Sequence, residues 1–394
     1  MERKGSFSEI KLGDAVTFQR GFDITKKEQT EGNIPIVSSS GISSFHNQWK
    51  TKGPGIVIGR KGTLGTVHYL KGNFWPHDTT LWIKDFKGNN RRFIYYFLQT
   101  LHLENFDTGS SNPTLNRNHI HKIKIIFPKI VQQKKIAAIL SAYDDLIENN
   151  RRRIALLEKM AEEIYREWFV RMRFPGHEKV KIVKGVPEGW SVVELHEIAT
   201  EASRSTKAGN HLAGRFYLPL DMLNTRQMIP GGHQNYTEAQ SSLVTFEKSD
   251  ILFGAMRPYL HKVAIAPFAG ITRTTCFVIR PKLSNAWSWL YLTLFQSPSV
   301  DYASMICNGS DRPYAIWNKG MERMKLLYPN DELLSRFEEV ARPMLDSITS
   351  MYFVQLKLKE CRDMLLPRLI SGKLSVENLD IRFPPSMEEI SDEV

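Results

Sequence analysis

The sequence contains few cysteines, and they lie far apart. Cys276, Cys307 and Cys361 are the three thiols in 394 residues, and no C-x-x-C spacing occurs. Isolated cysteines of this kind predict neither a disulfide framework nor a zinc site. Long apolar runs are also missing, since the longest, WSWLYLTLF at 287–295, is too short to span a bilayer. Because the first residues, MERKGSFSEIKL, have no apolar segment of the signal-peptide kind, we expect a cytoplasmic protein that contacts no membrane.

Recognisable catalytic motifs are missing as well. No G-x-x-x-x-G-K-[ST] phosphate loop occurs, and SNPTL around Pro113 lacks the second proline and the aromatic residue of the adenine-methyltransferase signature. The sequence has no nuclease carboxylate–lysine cluster and no zincin motif, and His46, His77 and His261 favour loop or core positions over metal ligation. We therefore predict a chain without catalytic residues, metal or cofactor of its own, and binding becomes the function to explain.

Positive charge is unevenly distributed along the chain. The formal net charge is +11, to which residues 1–130 contribute +9 and residues 177–330 contribute +5. Residues 131–176 contribute +2 and residues 331–394 contribute −5. Basic surfaces attract the phosphate backbone of nucleic acids. Two basic regions that alternate with near-neutral or acidic ones therefore favour DNA binding, although excess lysine and arginine also serve solubility.

A long stretch with a heptad pattern lies between the two basic regions. Its seam, in which apolar positions step by four and three residues in alternation, comprises Ile136, Leu140, Tyr143, Ile147, Asn150, Ile154, Leu157, Ala161, Ile164 and Trp168. This spacing is typical of a coiled coil. Asn150 is the polar exception, and a polar seam residue usually fixes the register at a cost in stability.

A second heptad pattern follows the second basic region. Its seam comprises Leu334, Phe337, Ala341, Met344, Ile348, Met351, Gln355, Leu358, Arg362, Leu365 and Leu369. If the two helices pair antiparallel with matched centres, the polar residues Asn150 and Gln355 come close to each other. Pro343 and Pro367 each lack a backbone donor, so we expect a kink or a helix end near them. Two separate amphipathic helices, each packed on its own domain, are the alternative.

The two halves of the chain repeat one another at an interval near 200 residues. In each half an aromatic helical stretch is followed by a Gly-Ser loop, a strand that ends in proline, and a long helix. The matching segments are GIVIGR (55–60) with DILFGAMR (250–257), TTLWI (79–83) with TTCFVI (274–279), and TGSSNPTLNRNHI (108–120) with NGSDRPYAIWNKG (308–320). Such a repeat predicts two units of one fold that do the same job on different targets.

Loop residues that can hydrogen-bond base edges occupy similar places in the two halves. In the first half the candidates are Arg60, Lys61, Asn112, Asn116, Arg117 and Asn118. In the second half they are Arg257, Tyr259, His261, Arg312, Tyr314 and Asn318. For each one, contact with a phosphate or ordinary turn chemistry explains the residue as well as base readout does.

The segment GSSNPTLNRNHIHKIKIIFPKIVQQKKIAAILSAYDDLIENN, at 109–150, closely resembles part of the Type I restriction–modification specificity (S) subunits. In that family it corresponds to the end of a target-recognition domain and the start of a long helix. The resemblance extends over essentially residues 1–378 and is most specific at FPKIVQQKKIAAIL. It is looser at YPNDELLSRFEEVARPML, where the Gln-Lys-Lys segment is replaced.

The resemblance implies an α+β fold with an internal, pseudo-twofold repeat. Two mixed α/β target-recognition domains are expected, joined by two long helices that form an antiparallel coiled coil. The expected division is a recognition domain at 1–130, a spacer helix at 131–176, a second recognition domain at 177–330, a second spacer helix at 331–378 and an acidic tail at 379–394. The composition of the tail favours disorder.

The resemblance also implies a non-catalytic subunit that reads a bipartite, asymmetric site in double-stranded DNA, one half-site per recognition domain. Similar subunits bind two copies of an adenine-N6 methyltransferase subunit that uses S-adenosylmethionine. They also carry restriction/translocase subunits that use ATP and magnesium. The alternative is a stand-alone sequence-specific DNA-binding or regulatory protein, and a nuclease with an unrecognised site is a third hypothesis.

Overall fold

The chain divides into two compact units, each of which combines small sheets with parts of two long helices. A computed structural model describes residues 7–106, 114–240, 242–309, 311–384 and 387. Unit 1 comprises residues 1–147 and 358–394, and unit 2 comprises residues 148–357. Across the described ranges, each helix is either too short or too polar to cross a membrane.

The strands of unit 1 form small, mainly antiparallel sheets. They are β1 (Phe7–Lys11), β2 (Thr17–Arg20), β3 (Ile34–Ser38), β4 (Gly41–His46), β5 (Gly55–Gly59), β6 (Val67–Leu70), β7 (Trp75–Pro76), β8 (Thr80–Asp85) and β9 (Lys124–Pro128). The sheet orders are β2-β8-β5-β6, β4-β3-β7 and β1-β9. The helices are α1 (Leu12–Ala15), α2 (Arg91–Gln99), α3 (Arg117–Ile120) and α4 (Ile130–Tyr165), which continues into unit 2, with a 3-10 turn at Leu103–Phe106.

The core of unit 1 forms where α2 packs on the β2-β8-β5-β6 sheet. Strand β5 is buried along its whole length, as a central strand covered on both faces should be. Asn90 begins α2 because its side chain accepts a hydrogen bond from the Phe93 N–H at 2.9 Å. Phe93 and Phe97 of α2 lie in one buried cluster with Ile56 and Leu81 of the sheet.

Unit 2 has more strands and a further pair of helices. The strands are β10 (Ile182–Val183), β11 (Val186–Pro187), β12 (Ser191–Glu194), β13 (Ala199–Glu201), β14 (Arg204–Thr206), β15 (Phe216–Tyr217), β16 (Gln234–Asn235), β17 (Leu243–Phe246), β18 (Ile251–Gly254), β19 (Val263–Ile265), β20 (Gly270–Arg273), β21 (Cys276–Pro281), β22 (Cys307–Asn308), β23 (Tyr314–Ala315) and β24 (Lys325–Tyr328). The helices are α5 (Leu195–Ile198), α6 (Trp287–Phe295), α7 (Ser297–Met305) and α8 (Asp331–Ile370), which continues into unit 1. The sheet orders are β13-β21-β18-β19, β14-β17-β20-β15-β16, β12-β24, β10-β11 and β22-β23.

The two units repeat one arrangement of strands, which confirms the repeat predicted from the sequence. The order β2-β8-β5-β6 in unit 1 matches β13-β21-β18-β19 in unit 2, and the pair β1-β9 matches β12-β24. The central strands also end in the same way. The Gly59 N–H donates to the Thr66 carbonyl at 2.9 Å, and the Gly254 N–H donates to the Lys262 carbonyl at 2.8 Å.

Strand register corrects one part of the sequence repeat. Thr80 lies opposite Gly59 in unit 1, and Cys276 lies opposite Gly254 in unit 2. Thr79 is therefore equivalent to Thr275, whereas the matching of TTLWI with TTCFVI pairs Thr79 with Thr274. The identical Thr-Thr letters caused this slip of one residue.

The two long helices differ from their expected bounds at their C-terminal ends. Helix α4 ends at Tyr165 and passes into a π-helical turn at Arg166–Val170, and α8 ends at Ile370 rather than at 378. Helix α8 continues through Pro343 without ending there, whereas it does end three residues after Pro367. Both prolines are exposed, and so are Glu339 and Asp363, whose carbonyl groups lose their helical donors. Water can satisfy these carbonyls, which lowers the cost of each proline.

Within each unit, the segments of α4 and α8 lie side by side and run antiparallel. In unit 1, Ile136 lies in one buried cluster with Leu369, and the Asp144 carboxylate is 2.7 Å from the Arg362 guanidinium. In unit 2, the Asn150 side-chain amide donates to the Met351 carbonyl at 2.9 Å, and the Phe169 ring lies 4.8 Å from the Phe337 ring. Asn150 thus bonds to the backbone one turn before Gln355.

Burial follows the predicted seam in α4 and departs from it in α8. In α4, Ile136, Leu140, Ile147, Asn150 and Ile154 are buried, and Tyr143, Leu157 and Ile164 are half-buried. In α8, the predicted seam residues Leu334, Phe337, Ala341, Ile348 and Leu369 are buried, whereas Met344, Met351, Gln355, Leu358 and Leu365 are half-buried. Leu345 and Tyr352 are fully buried in place of Met344 and Met351. The buried positions of α8 here follow a straight-helix period near 3.6 residues, so a strict heptad selects the neighbouring residue.

The Gln-Lys-Lys segment at the start of α4 has a structural role in unit 1. The Gln133 side chain is buried, donates to the Asn89 side chain at 2.8 Å and the Pro128 carbonyl at 2.9 Å, and accepts from the Asn90 N–H at 3.0 Å. The Lys135 ammonium donates to three carbonyl groups after α8, those of Val376, Glu377 and Leu379. These bonds fix the start of α4 to the α2 loop and to the segment that follows α8.

Candidate nucleic-acid interface

In unit 1 the structure brings together two of the predicted segments. Arg60 and Lys61 directly follow strand β5. The Leu115 N–H donates to the Arg60 carbonyl at 3.0 Å, and Lys61 forms an antiparallel bridge with Thr114. Arg60 and Lys61 therefore lie beside the segment that leads into α3.

The predicted residues of α3 lie on the surface. Asn116, Arg117 and Asn118 are exposed. Asn116 is the N-cap of α3, because its side-chain oxygen accepts from the Asn118 N–H at 2.9 Å. Turn chemistry thus occupies one side-chain atom of Asn116, while the Arg117 and Asn118 side chains remain accessible. Asn112, also predicted, lies outside the described residues.

Arg60 and Lys61 belong to a charged cluster whose other members, Arg20 and Asp78, were not predicted from the sequence. The Arg20 guanidinium, at the end of β2, donates to the Asp78 carboxylate at 2.8 Å. The Arg60 guanidinium donates to the Asp78 carbonyl at 3.4 Å, and a ring nitrogen of His77 is 3.2 Å from the other carboxylate oxygen of Asp78. We call Arg20, Arg60, Lys61 and Asp78 the Asp78 cluster.

Electrostatics keep Asp78 and Arg60 charged. Partial burial favours the neutral form of Asp78, but the hydrogen bond from Arg20 and the charges of His77, Arg20 and Lys61 bring its pKa below the ordinary value. Burial, and then the charge of Arg20, lower the pKa of Arg60, and Asp78 offsets this only in part. Since an arginine titrates far above neutral pH, Arg60 remains cationic with an incomplete counter-charge.

One group of side chains in this region has the composition of a cation site. Ligand atoms of Asp23, His77 and Asp78 lie within 4.8 Å of one another. Both carboxylate oxygens of Asp78 already have partners, one in the Arg20 guanidinium and one in the His77 ring. A guanidinium bound to a prospective ligand opposes a second cation, so this arrangement favours an ion-paired surface over a metal centre.

In unit 2 the same backbone bridge carries different side chains. Met256 bridges Tyr314, and the Ala315 N–H donates to the Ala255 carbonyl at 2.9 Å, as Leu115 does to Arg60 in unit 1. Arg60 is therefore equivalent to Ala255, which lies two residues before Arg257.

Other predicted residues of unit 2 surround this bridge. The Arg257 N–H donates to the Pro313 carbonyl at 2.8 Å. The Tyr314 hydroxyl donates to the Thr274 carbonyl at 2.5 Å, and burial raises the pKa of Tyr314. Arg312 and Asn318 are exposed, and Tyr259 has 59% of its surface exposed.

His261 does not lie on this surface. It is only 5% exposed, and its Nε2 atom is 2.7 Å from the Phe295 carbonyl. Burial lowers the pKa of this imidazole, so the ring favours its neutral form. The expectation that His261 contacts a ligand is wrong for this structure, because its ring is buried and bonded to the Phe295 carbonyl.

The sequence analysis did not identify Arg20 and Asp78 as site residues, for a simple reason. Arg20 and Asp78 are 58 residues apart, and their contact depends on the pairing of β2 with β8. No local spacing could reveal it. The usable signal was compositional, a lone arginine at a strand end and the dipeptide His77-Asp78 before a strand.

Comparison with known proteins finds one matching family model and several similar proteins. Residues 5–159 match the family described as the Type I restriction modification DNA specificity domain. The Type I restriction enzyme MjaIX specificity subunit of Methanocaldococcus jannaschii is 25% identical over 73% of this chain and 70% of its own length. The MjaVIII specificity subunit of the same organism is 23% identical over 94% of this chain and 93% of its length.

The fold has a solved counterpart. The crystal structure of a Type I restriction–modification S subunit from M. genitalium aligns over 94% of this chain and 97% of that one, with a TM-score of 0.64 and 16% sequence identity. This similarity establishes that the two-unit, two-helix arrangement of this chain is a known architecture.

Proposed function

We propose that this chain, whose residues 5–159 match the Type I restriction modification DNA specificity domain, is a specificity subunit that reads a split, asymmetric DNA site with one half-site per recognition domain. The observation that carries the proposal is the repeated scaffold with unlike side chains. At the same backbone bridge, unit 1 has Arg60 and Lys61, and unit 2 has Ala255 and Met256. Two copies of one fold with different side chains at one loop fit the reading of two different sequences.

We propose the following division of labour along the chain. Residues 1–130 and 177–330 are the recognition domains, and residues 131–176 and 331–378 are spacer helices that set the gap between the half-sites. Exposed polar residues near the backbone bridges contact DNA, and the positive charge of both domains strengthens that contact through counterion release. The acidic tail, 379–394, stays outside this function.

Specificity subunits of this family are non-catalytic, and this chain works with other subunits of a restriction–modification complex. We propose that it binds two methyltransferase subunits, which use S-adenosylmethionine to methylate adenine at N6. Restriction/translocase subunits that use ATP and magnesium complete the complex. The chain itself determines the DNA sequence at which these subunits act. We expect this assembly to act in the cytoplasm.

Selection from a pool of random DNA duplexes tests this function. The chain is purified together with its methyltransferase subunit and used to enrich duplexes over several rounds. We expect two short fixed blocks separated by a gap of constant length and variable sequence. A single contiguous block, or no enrichment, would contradict the proposal. Equal enrichment by the chain alone would favour the stand-alone DNA-binding protein, and cleavage of plasmid by the chain with magnesium would favour a nuclease.

A further inference from the structure

The Asp78 cluster presents a charged pair at an accessible edge of unit 1. The side chain of Arg20 is 54% exposed, while that of its partner Asp78 is 20% exposed. A guanidinium has five N–H donors in a planar fork. One hydrogen bond to Asp78 fixes the orientation of Arg20 and leaves donors for a ligand.

The shared scaffold does not need this cluster. Strand register makes Arg20 equivalent to Ser203, because Phe18 lies opposite Ile83 as Glu201 lies opposite Ile279. By the same register Asp78 is equivalent to Thr274, and Arg60 and Lys61 are equivalent to Ala255 and Met256. All four positions are uncharged in unit 2, which nevertheless forms the same sheet. The cluster therefore serves a purpose particular to unit 1.

The combination of charges decides between two kinds of ligand. A phosphate is bound best by cations without a carboxylate beside them, since the carboxylate repels it. Asp78, with Asp23 close by, therefore counts against a simple phosphate clamp. A base pair has both acceptors and donors on its major-groove edge. Guanine offers N7 and O6 to an arginine fork, and cytosine offers an amino group to a carboxylate.

We propose that Arg20, oriented by Asp78 and flanked by Arg60 and Lys61, reads a guanine in the half-site bound by unit 1. Asp78 is a positioning residue in this arrangement, and Arg20 is the base-reading residue. Unit 2 has no charged side chain at the equivalent positions, so its half-site is read by other residues, and the cations adjacent to those positions include Arg204, Arg257 and Arg273. The inference rests on the proposed function and adds to it the identity of one base.

Binding measurements on the whole complex test the inference. The chain with its methyltransferase subunit is titrated with duplexes in which each base pair of the two half-sites is replaced in turn. For the wild-type complex we expect one G·C pair whose replacement weakens binding roughly 10- to 100-fold. In Arg20→Ala that same replacement should have almost no effect, while the half-site of unit 2 stays fully discriminated. Arg20→Lys should retain part of the discrimination, because an ammonium lacks the planar fork.

Two further variants separate base readout from positioning and from charge alone. Asp78→Asn should reduce discrimination at the same base pair without creating a new preference elsewhere. Lys84→Ala, which removes an exposed cation at the other end of β8, should leave discrimination unchanged. Retained discrimination of the other base pairs in the unit 1 half-site shows that unit 1 is folded in a variant.

Several outcomes would overturn the inference. Equal weakening of all duplexes by Arg20→Ala would assign Arg20 to a phosphate. Unchanged discrimination in Arg20→Ala, as expected for Lys84→Ala, would show that Arg20 does not read a base. A wild-type half-site for unit 1 that contains no guanine would show the same. Each of these outcomes contradicts the role of Arg20 and leaves the proposed function intact. The proposed function itself fails if the wild-type complex recognises no split site.

Discussion

At the scale of single residues, Glu158 on helix α4 is the clearest case of an environment that changes a side chain. Burial raises the pKa of Glu158 to about 7. A hydrogen bond from the Met228 N–H, at 2.7 Å, opposes this rise, and the charge of Glu162 adds to it. Near neutral pH the carboxyl group is therefore divided between its two protonation states within unit 2.

We predict that Glu158 makes unit 2 less stable as the pH rises. Between about pH 4.5 and 7 the unfolded chain ionises this group while the folded chain keeps it protonated, so the free energy of unfolding should fall by roughly 3 kcal/mol. Glu158→Gln keeps an acceptor for the Met228 N–H and should remove most of this fall. Urea unfolding at pH 5 and pH 8 measures it. Glu188→Gln, at an exposed turn, is the control and should keep the wild-type slope; an equal slope in both variants would contradict the account.

In unit 1, Asp144 is the acidic residue whose hydrogen bonds we expect to affect stability. Its carboxylate accepts from the Tyr96 hydroxyl at 2.5 Å and from the Arg362 guanidinium at 2.7 Å. Tyr96 is buried, so removal of the Asp144 carboxylate leaves the Tyr96 hydroxyl without this acceptor, whereas Arg362 keeps its bond to Asp363.

We predict that Asp144→Ala lowers the free energy of unfolding by roughly 2 kcal/mol. Asp363→Ala removes the other carboxylate that bonds Arg362, at 2.8 Å, but Asp363 lies on the surface. It should cost less than about 0.5 kcal/mol. Chemical unfolding of both variants at pH 7 provides the comparison, and equal losses would show that burial does not decide the effect.

At the scale of elements, the helix pair was the most predictable part of the chain and strand pairing the least. The heptad pattern places Ile136, Leu140 and Ile154 in the buried face because helical neighbours are close in sequence. Contacts such as Arg20 with Asp78 depend on strands far apart in sequence, so the candidate site was only half predicted. His261 shows the same limit, since its bond to the Phe295 carbonyl is a feature of the folded chain.

A prediction at this scale concerns Asn150. Its amide bonds to the Met351 carbonyl in a largely buried position of the α4–α8 pair. Asn150→Leu replaces a polar seam residue with an apolar one and should raise the free energy of unfolding by about 1 kcal/mol. The exposed neighbour is the control, and Asn149→Leu should change stability by less than about 0.5 kcal/mol. Thermal and urea unfolding measure both; a loss of stability in Asn150→Leu would show that the buried hydrogen bond outweighs apolar burial.

At the scale of the whole molecule, the repeated scaffold and the two long helices lead to separable roles for reading and spacing. Deleting one heptad around Asn150 and the facing heptad around Met351 shortens each helix by about 10 Å. We predict that the gap between the half-sites shortens by about three base pairs, at 3.4 Å each, while both half-site sequences stay the same. Duplex selection with the shortened complex measures the gap. Altered half-sites with an unchanged gap would contradict the assignment of spacing to the helices.

The central claim is that this chain decides where a methyltransferase acts, and methylation mapping tests it most directly. The chain is co-expressed with its methyltransferase subunit, and the host DNA is sequenced for N6-methyladenine. The account predicts a split motif with a fixed gap that disappears when this chain is omitted. An active methyltransferase that leaves no such motif, or the same motif without this chain, would contradict it.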